Sequence, residues 1–274
     1  MERRIRSHLA RTLGGVLPPH PARGLEWYYD WVVVGNRSLE ALRVLREHRP
    51  RRADGLLVDV GSGLGSVVIL ANACGMRAVG VEPAAADVEL ARERAAVALP
   101  DRAGLFAVGR GEALPVESGT ATAVLLYDVL EHTPTWKEVL AECRRVLAPD
   151  GVLYVKGPAY GFRFFEPHYR VAWLPLLRPT LARRYLRLMG RDDRYLDEVH
   201  YVRRKPVLRE LDRLGLSLSF PRQARADDPE SIRRGWVRSA LRVAHHVPGG
   251  RSAAAALAEG PLQATIDVVA RPLR

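Results

Sequence analysis

Lysine is nearly missing from this 274-residue chain: of 42 basic residues only Lys137, Lys156 and Lys205 are lysines, and the other 39 are arginines. With 31 acidic residues the formal net charge is +11. The bases are scattered over short clusters near residues 3–11, 49–52, 183–194, 203–205 and 233–242, not gathered in one tract. Together with abundant alanine and leucine, that distribution reads as GC-rich coding bias. No nucleic-acid partner is expected, although a basic surface could still draw phosphates, anionic lipids or acidic substrates. Cysteine is equally scarce, with only Cys74 and Cys143. Two distant cysteines, both expected in helices, make neither a disulfide framework nor a metal knuckle and suit a reducing, cytoplasmic setting. No apolar run reaches the roughly 18–20 residues of a membrane span. The opening MERRIRSHLARTLGGVLPP lacks the continuous apolar stretch of a secretory signal. Repeats and low-complexity tracts are absent. What is present, 47% hydrophobic and 27% charged residues, is the composition of a globular chain with a sizeable core.

The periodicity changes along the chain. Residues 1–24 read as a short helix and a turn, broken by Gly14-Gly15 and Pro18-Pro19. Residues 25–48 begin aromatic and become helical from Ser38, and 49–54 form a charged linker. From there short apolar runs alternate with helical patterns. Strands are expected at 56–60, 78–81, 105–108, 122–127 and 152–156, with helices after Gly65, over 84–98 and over 136–147. This alternation predicts a doubly wound parallel sheet. Residues 158–204 depart from it, being aromatic, Pro-rich and Arg-rich. A helix over 206–214, a strand over 216–220, a helix over 229–246 and a last strand over 265–270 would complete the core. The expected organisation is an N-terminal helical cap (1–52), a core (53–157), an insert (158–204) and a C-terminal completion with a helical excursion (205–274).

The chemistry starts at Asp59-Val60-Gly61-Ser62-Gly63-Leu64-Gly65, between the first strand and its helix. The glycines permit a tight turn and a close approach of backbone to ligand, and the helix start beyond offers unpaired N–H groups. Such a loop suits nucleotide-like cofactors in general. Glu82, at the end of the second strand and seventeen residues after Gly65, can accept hydrogen bonds from both hydroxyls of an adenosine ribose. The spacing Gly-x-Gly-x-Gly and a carboxylate at Asp59 argue against a pyrophosphate ligand. They favour a cofactor carrying an amino group and a sulfonium.

Four ordered stretches then carry a family resemblance: LLVDVGSGLGS (56–66), VGVEP (79–83), GRGEALPVESGTATAVLLYDVLEHT (109–133) and VLAECRRVLAPDGVLYV (139–155). Over roughly 53–157 the chain resembles class I S-adenosylmethionine (SAM)-dependent methyltransferases, in particular the small-molecule branch that includes quinone methyltransferases. The resemblance implies an α/β fold, a Rossmann-like seven-stranded sheet with N-terminal helices and a helical cap or insert. It implies SAM as cofactor. Gly61, Ser62, Gly63 and Gly65 would line the amino-acid moiety with Asp59 close by, Glu82 and Pro83 would border the ribose, and Glu112 and Ala113 would flank the adenine. Asp128 would border the methyl donor and the acceptor.

Methyl transfer to a hydroxyl needs a proton acceptor, whereas an amine or thiol can do without one. Candidate bases are His132, which follows Glu131 beyond the fourth strand, then His168 and His200. Packing under a loop, or a solvated loop position, is the competing reading of each. Tyr28 and Tyr29 of the Trp27–Trp31 cluster are candidate lid residues, and Glu166, Tyr169 and Tyr201 candidate acceptor contacts. No metal centre is expected, since Glu166 and His168 alone make a weak ligand pair. The apolar residues of 160–190 would build an acceptor pocket, and they are also compatible with a homodimer face or peripheral membrane contact. The expected function is methylation, preferably O-methylation, of a small molecule such as a natural product, glycan or lipid-linked sugar. Two alternatives stay open: non-methylating chemistry such as cyclisation or dehydration on the same fold, and nucleic-acid methylation. Against the latter, Asp128-Val129-Leu130-Glu131 stands where a base methylase carries an Asn/Asp-Pro-Pro-aromatic motif.

Overall fold

A computed structural model of the chain describes residues 1–17, 24–48, 55–160, 165–166, 168–169, 171–172, 174–221 and 265–273. The expected helix over 229–246 and the linker at 49–54 lie outside the described residues.

The apolar runs form a seven-stranded sheet. Its strands are β1 (Leu56–Val60), β2 (Arg77–Glu82), β3 (Phe106–Val108), β4 (Ala121–Tyr127), β5 (Leu147–Pro158), β8 (Leu216–Ser219) and β9 (Thr265–Pro272). They lie in the order β3-β2-β1-β4-β5-β9-β8. The first five pair in parallel, and β9 runs antiparallel between β5 and β8. Two further short strands, β6 (Phe165–Glu166) and β7 (Val171–Ala172), pair as a separate antiparallel hairpin in the insert.

Both faces of the sheet are buried, as its near-continuous apolar runs require. Alternate residues of one strand serve opposite cores. Leu57, Leu125 and Tyr154 pack with Ala41, Val44 and Leu45 of α3 (Asn36–His48), Val68 of α4 (Ser66–Ala73) and Ala91 of α5 (Ala85–Ala98). Val58, Val124, Leu126 and Leu153 pack with Val139 and Leu140 of α6 (Trp136–Val146) and Val207 and Leu211 of α8 (Arg204–Arg213). Cys143 is buried in that second core, while Cys74 stands at the C-terminal cap of α4 and is exposed, not inside the helix as expected.

Three pieces frame the carboxyl end of the sheet. The first, α1 (Glu2–Leu13), packs Ile5 and Leu9 against Val33, Leu64 and Leu90. Two side-chain contacts tie it to α5, the Arg4–Glu93 ion pair at 2.7 Å and His8 Nε2 against Asp87 at 2.6 Å. The second is α2 (Leu25–Tyr28), which passes directly into a π-helical turn, Tyr29–Val34, before α3. The third is the insert, whose hairpin is followed by α7 (Pro179–Leu188) and a small core of Tyr169, Val171, Leu174, Ala182 and Leu186. Among the described residues no helix is long and apolar enough to cross a membrane.

Candidate active site

The order of strands reverses between β1 and β4, which leaves a crevice beyond their carboxyl ends, the usual ligand position in such sheets. The turn after β1 fills it. Gly61, Gly63 and Gly65 all have positive φ, 71°, 48° and 76°, where a side chain is strained. A Cβ on Gly61 would meet Val129 at 2.6 Å, whereas at Gly63 there is open space. Glu82 locks the loop: its Oε2 accepts from the Gly63 amide at 2.9 Å and its Oε1 from the Ala84 amide at 3.0 Å. Burial raises the Glu82 carboxyl above its ordinary range despite those two amide hydrogen bonds.

A cavity of about 590 Å³ opens in front of this loop, inside the range of small-molecule cofactor sites, about 300–1,000 Å³. Asp59, Gly61, Ser62, Gly63, Glu82, Pro83, Glu112, Asp128, Tyr28, His132 and His200 all line it. Burial opposes ionisation of Glu112, but hydrogen bonds from Thr135, Thr133 and Arg110 outweigh it and hold that carboxyl below its ordinary value. Asp128 has φ of 56°, a left-handed conformation that Asp tolerates better than most residues and that recurs at functional sites.

Several expected residues stand elsewhere, for packing reasons. Gly65 is the N-cap of α4, where a Cβ would strike the Phe106 ring at 2.5 Å, so it shapes the turn without lining the cavity. Ala113 does not line it, and its amide is engaged with the Arg110 carbonyl at 3.1 Å. Tyr29 packs beneath α1 with the Arg6 guanidinium 4.1 Å over its ring. Tyr169 is buried in the insert's core, and Tyr201 stacks on Tyr160 at 4.5 Å.

A second cavity, of about 200 Å³, adjoins the first. Tyr28, Arg37, Asp128, His132 and Tyr195 line both. One side of the smaller cavity is apolar, with Leu13, Val16, Leu17 and the stacked rings of Trp27 and Trp31, 6.2 Å apart. The other side carries Glu131, His132 and His168. One donor atom from each of these three lies within 4.8 Å of the others, a closer gathering of metal-type donors than the sequence suggested. Glu131 is buried, and among the described residues its Oε1 has no hydrogen-bond partner. Burial and the Asp128 charge raise its carboxyl well above the ordinary value. Burial and the neighbouring His168 push the His132 imidazole down to about 4.

Arg37 escaped the sequence reading. It donates to the Tyr127 carbonyl, lies 3.8 Å from Asp128 and holds its guanidinium 4.3 Å over the Tyr127 ring. In a chain with 39 arginines nothing local marks this one. His8, Leu9, Thr12 and Leu13 of α1 also line the larger cavity.

Asp59 is buried, and desolvation pushes its carboxyl up to about 7; the Arg37 guanidinium opposes this and the Glu82 charge adds to it. The folded chain therefore keeps a proton that an unfolded one, with the ordinary value of 3.8, releases. Stability of the ligand-free protein should fall as pH rises from about 4 to about 7 and level off above. Asp59→Asn should reduce this slope by Asp59's share, the raised Glu82 and Glu131 carboxyls keeping theirs, leaving stability near pH 4 unchanged and raising it at pH 8 by about 2–4 kcal/mol. Urea unfolding at several pH values checks this, and an unchanged slope in the variant would assign the titration elsewhere.

Residues 58–155 match the family model described as a methyltransferase domain. Over this stretch the chain carries a methyltransferase domain similar to those of class I SAM-dependent methyltransferases. An uncharacterized methyltransferase of Mycobacterium leprae (strain Br4923) is 29% identical over 177 residues, 63% of this chain and 61% of the relative. The match therefore spans about three fifths of that relative's length. The ubiquinone biosynthesis O-methyltransferase of Methylocella silvestris is 27% identical over 137 residues, 47% of this chain and 52% of that protein. Among solved structures, the geranyl diphosphate C-methyltransferase of Streptomyces coelicolor A3(2) superposes with a TM-score of 0.52 at 18% identity, covering 92% of this chain and 85% of that one. This last likeness bears on the fold. SAM is the cofactor of such methyltransferases, and Gly61, Gly63, Glu82 and Arg37 all line the larger cavity.

Proposed function

We propose that the protein transfers a methyl group from SAM to a hydroxyl of a small acceptor held in the smaller cavity. The junction of the two cavities carries this reading. Their shared wall of Tyr28, Arg37, Asp128, His132 and Tyr195 is where a donor in one and an acceptor in the other would meet. Gly61 to Gly63 and Arg37 would hold the amino-acid end of the cofactor, Glu82 the ribose hydroxyls and Glu112 the adenine amine. SAM supplies the electrophilic methyl group, and its sulfur leaves with the bonding electron pair as S-adenosylhomocysteine.

The protein's own part is alignment, desolvation and removal of one proton. Trp27, Trp31, Val16 and Leu17 form a wall for an apolar, flat acceptor body. The polar wall opposite supplies basic groups, which favours a hydroxyl over an amine or thiol that needs no base. The cavity's volume, about 200 Å³, favours a compact acceptor, a phenol or other single-ring alcohol, over a polymer.

Calorimetric titration with SAM should show saturable one-site binding. Incubation with panels of small phenols, alcohols, amines and thiols should then release S-adenosylhomocysteine with hydroxyl acceptors. Absence of binding by the folded protein would sink the cofactor assignment. Binding without S-adenosylhomocysteine from any panel would instead favour non-methylating chemistry on the same site.

A further inference from the structure

Glu166 lies outside every stretch that carries the family resemblance and lines neither cavity, yet it is a buried carboxylate at 1% exposure. It closes the β6–β7 hairpin. Its Oε2 accepts from the Tyr169 amide at 2.6 Å, and its Oε1 lies 2.8 Å from His168 Nδ1 and 3.2 Å from the Tyr160 hydroxyl. An ionised carboxylate only accepts, so each of these three partners donates to it. His168 must then carry its proton on Nδ1, which leaves Nε2 as the nitrogen with a lone pair, on a ring that lines the smaller cavity.

We propose that Glu166 is a positioning residue that fixes the tautomer and orientation of His168, and that His168 Nε2 is the base that takes the acceptor's proton. The assignment rests on the methyl-transfer reading above. The acceptor's O–H bond breaks with its proton passing to Nε2; the oxygen pair forms the new O–C bond; the C–S bond breaks with its pair remaining on sulfur. The result is a methyl ether, the neutral thioether S-adenosylhomocysteine and an imidazolium on His168. Glu166, 2.8 Å from that ring, balances the charge.

His132 is the less suitable base. Its ring lies 5.2 Å from that of His168, edge to face, and its Nδ1 faces the Glu198 carbonyl at 3.3 Å. Burial and the neighbouring imidazole hold it near 4, too weak to take a proton from a hydroxyl efficiently at neutral pH. Among the described residues, other polar groups around His168 are the Tyr160 hydroxyl, the Tyr195 ring at 5.6 Å and the Glu131 carboxyl. Of these only Glu131 carries a carboxyl, and its donor atom is placed within 4.8 Å of the imidazole, against 2.8 Å for Glu166.

The geometry makes Glu166→Gln unusually informative. The Tyr169 amide cannot turn away, so the glutamine must give its oxygen to that N–H. Its NH2 then faces Tyr160 and His168 Nδ1. The hydroxyl can rotate and the imidazole can change tautomer, so His168 should move its proton to Nε2 and lose the acceptor lone pair. Nitrogen-15 NMR of histidine-labelled protein without ligand reads the tautomer directly. Wild type should show the Nδ1–H form at His168 and the variant the Nε2–H form, with unchanged circular dichroism and SAM affinity. On whichever hydroxyl acceptor the panel returns, turnover should fall about 100-fold or more with little change in the KM for SAM.

An Nε2–H tautomer in the wild type, or no change in the variant, would overturn the proposal. A changed tautomer with full turnover would remove His168 as the base while leaving methyl transfer standing. Turnover abolished by chelation and restored by Mg2+ would likewise overturn it, since His168 would then serve as a ligand. Failure to bind SAM at all would strike the function proposed above and leave the tautomer result to be read on its own.

Discussion

Glu82→Ala should weaken SAM binding about 100-fold or more while leaving the protein folded. Two contributions add. A carboxylate that accepts from both ribose hydroxyls would be lost, at about 1.5–3 kcal/mol for each charge-assisted hydrogen bond. The Gly63 and Ala84 amides, now held at 2.9 and 3.0 Å, would also be released, so the loop would no longer be preorganised. The folding cost should stay small, because burial already disfavours this charge in the ligand-free protein. Calorimetry for affinity and thermal unfolding for the fold separate the two effects. A loss of less than tenfold in a folded variant would move the ribose away from Glu82.

Gly65→Ala should cost about 2–4 kcal/mol of stability, the sum of a left-handed backbone and an overpacked core. At Gly65 φ is 76°, and a methyl group would lie 2.5 Å from Phe106 Cζ and 3.0 Å from Ala91 Cβ. Neither neighbour can yield, because the ring and the alanine are part of the packing between β3, α4 and α5. Gly63→Ala should behave differently. Its φ is 48° with nothing within 4 Å, so the backbone term of about 1 kcal/mol stands alone, and the methyl group would project where the cofactor belongs. Urea unfolding should therefore rank Gly65→Ala as the unstable variant, and calorimetry should rank Gly63→Ala as the folded one that binds poorly. Equal unfolding midpoints would contradict this division of labour between two glycines of one loop.

The core strands were legible because buried parallel strands leave short apolar runs between helical patterns. Leu56–Val60 and Thr265 onward fall where the pattern put them, and β4 begins one residue early, at Ala121. The glycine loop and Glu82 were legible because their roles are local, a turn and a strand end. The insert was not. Strands of two residues, such as Phe165–Glu166 and Val171–Ala172, show no periodicity, so the hairpin that brings Glu166 to His168 leaves no trace in the pattern. Tyr29, Tyr169 and Tyr201 looked like ligand contacts because aromatic residues suit both pockets and cores; the fold uses these three for packing. Arg37 and the lining face of α1 reach the site from more than 20 residues before the motif, and only tertiary structure joins them to it. Nor did local pattern indicate that β9 enters between β5 and β8.

That insertion of β9 sets a timetable for synthesis. Its two neighbours, β5 and β8, are complete once Ser219 has been made, but β9 begins at Thr265. Among the described residues β8 pairs with β9 alone. At about 5–20 residues per second the ribosome needs roughly 2–9 s to cover the interval. During that time the hydrogen-bonding edge of β5, carrying Leu153 and Val155, stays open. A nascent chain paused in this window presents an unpaired edge of apolar strand to its neighbours, so slow translation between residues 219 and 265 would favour aggregation over a correctly closed sheet.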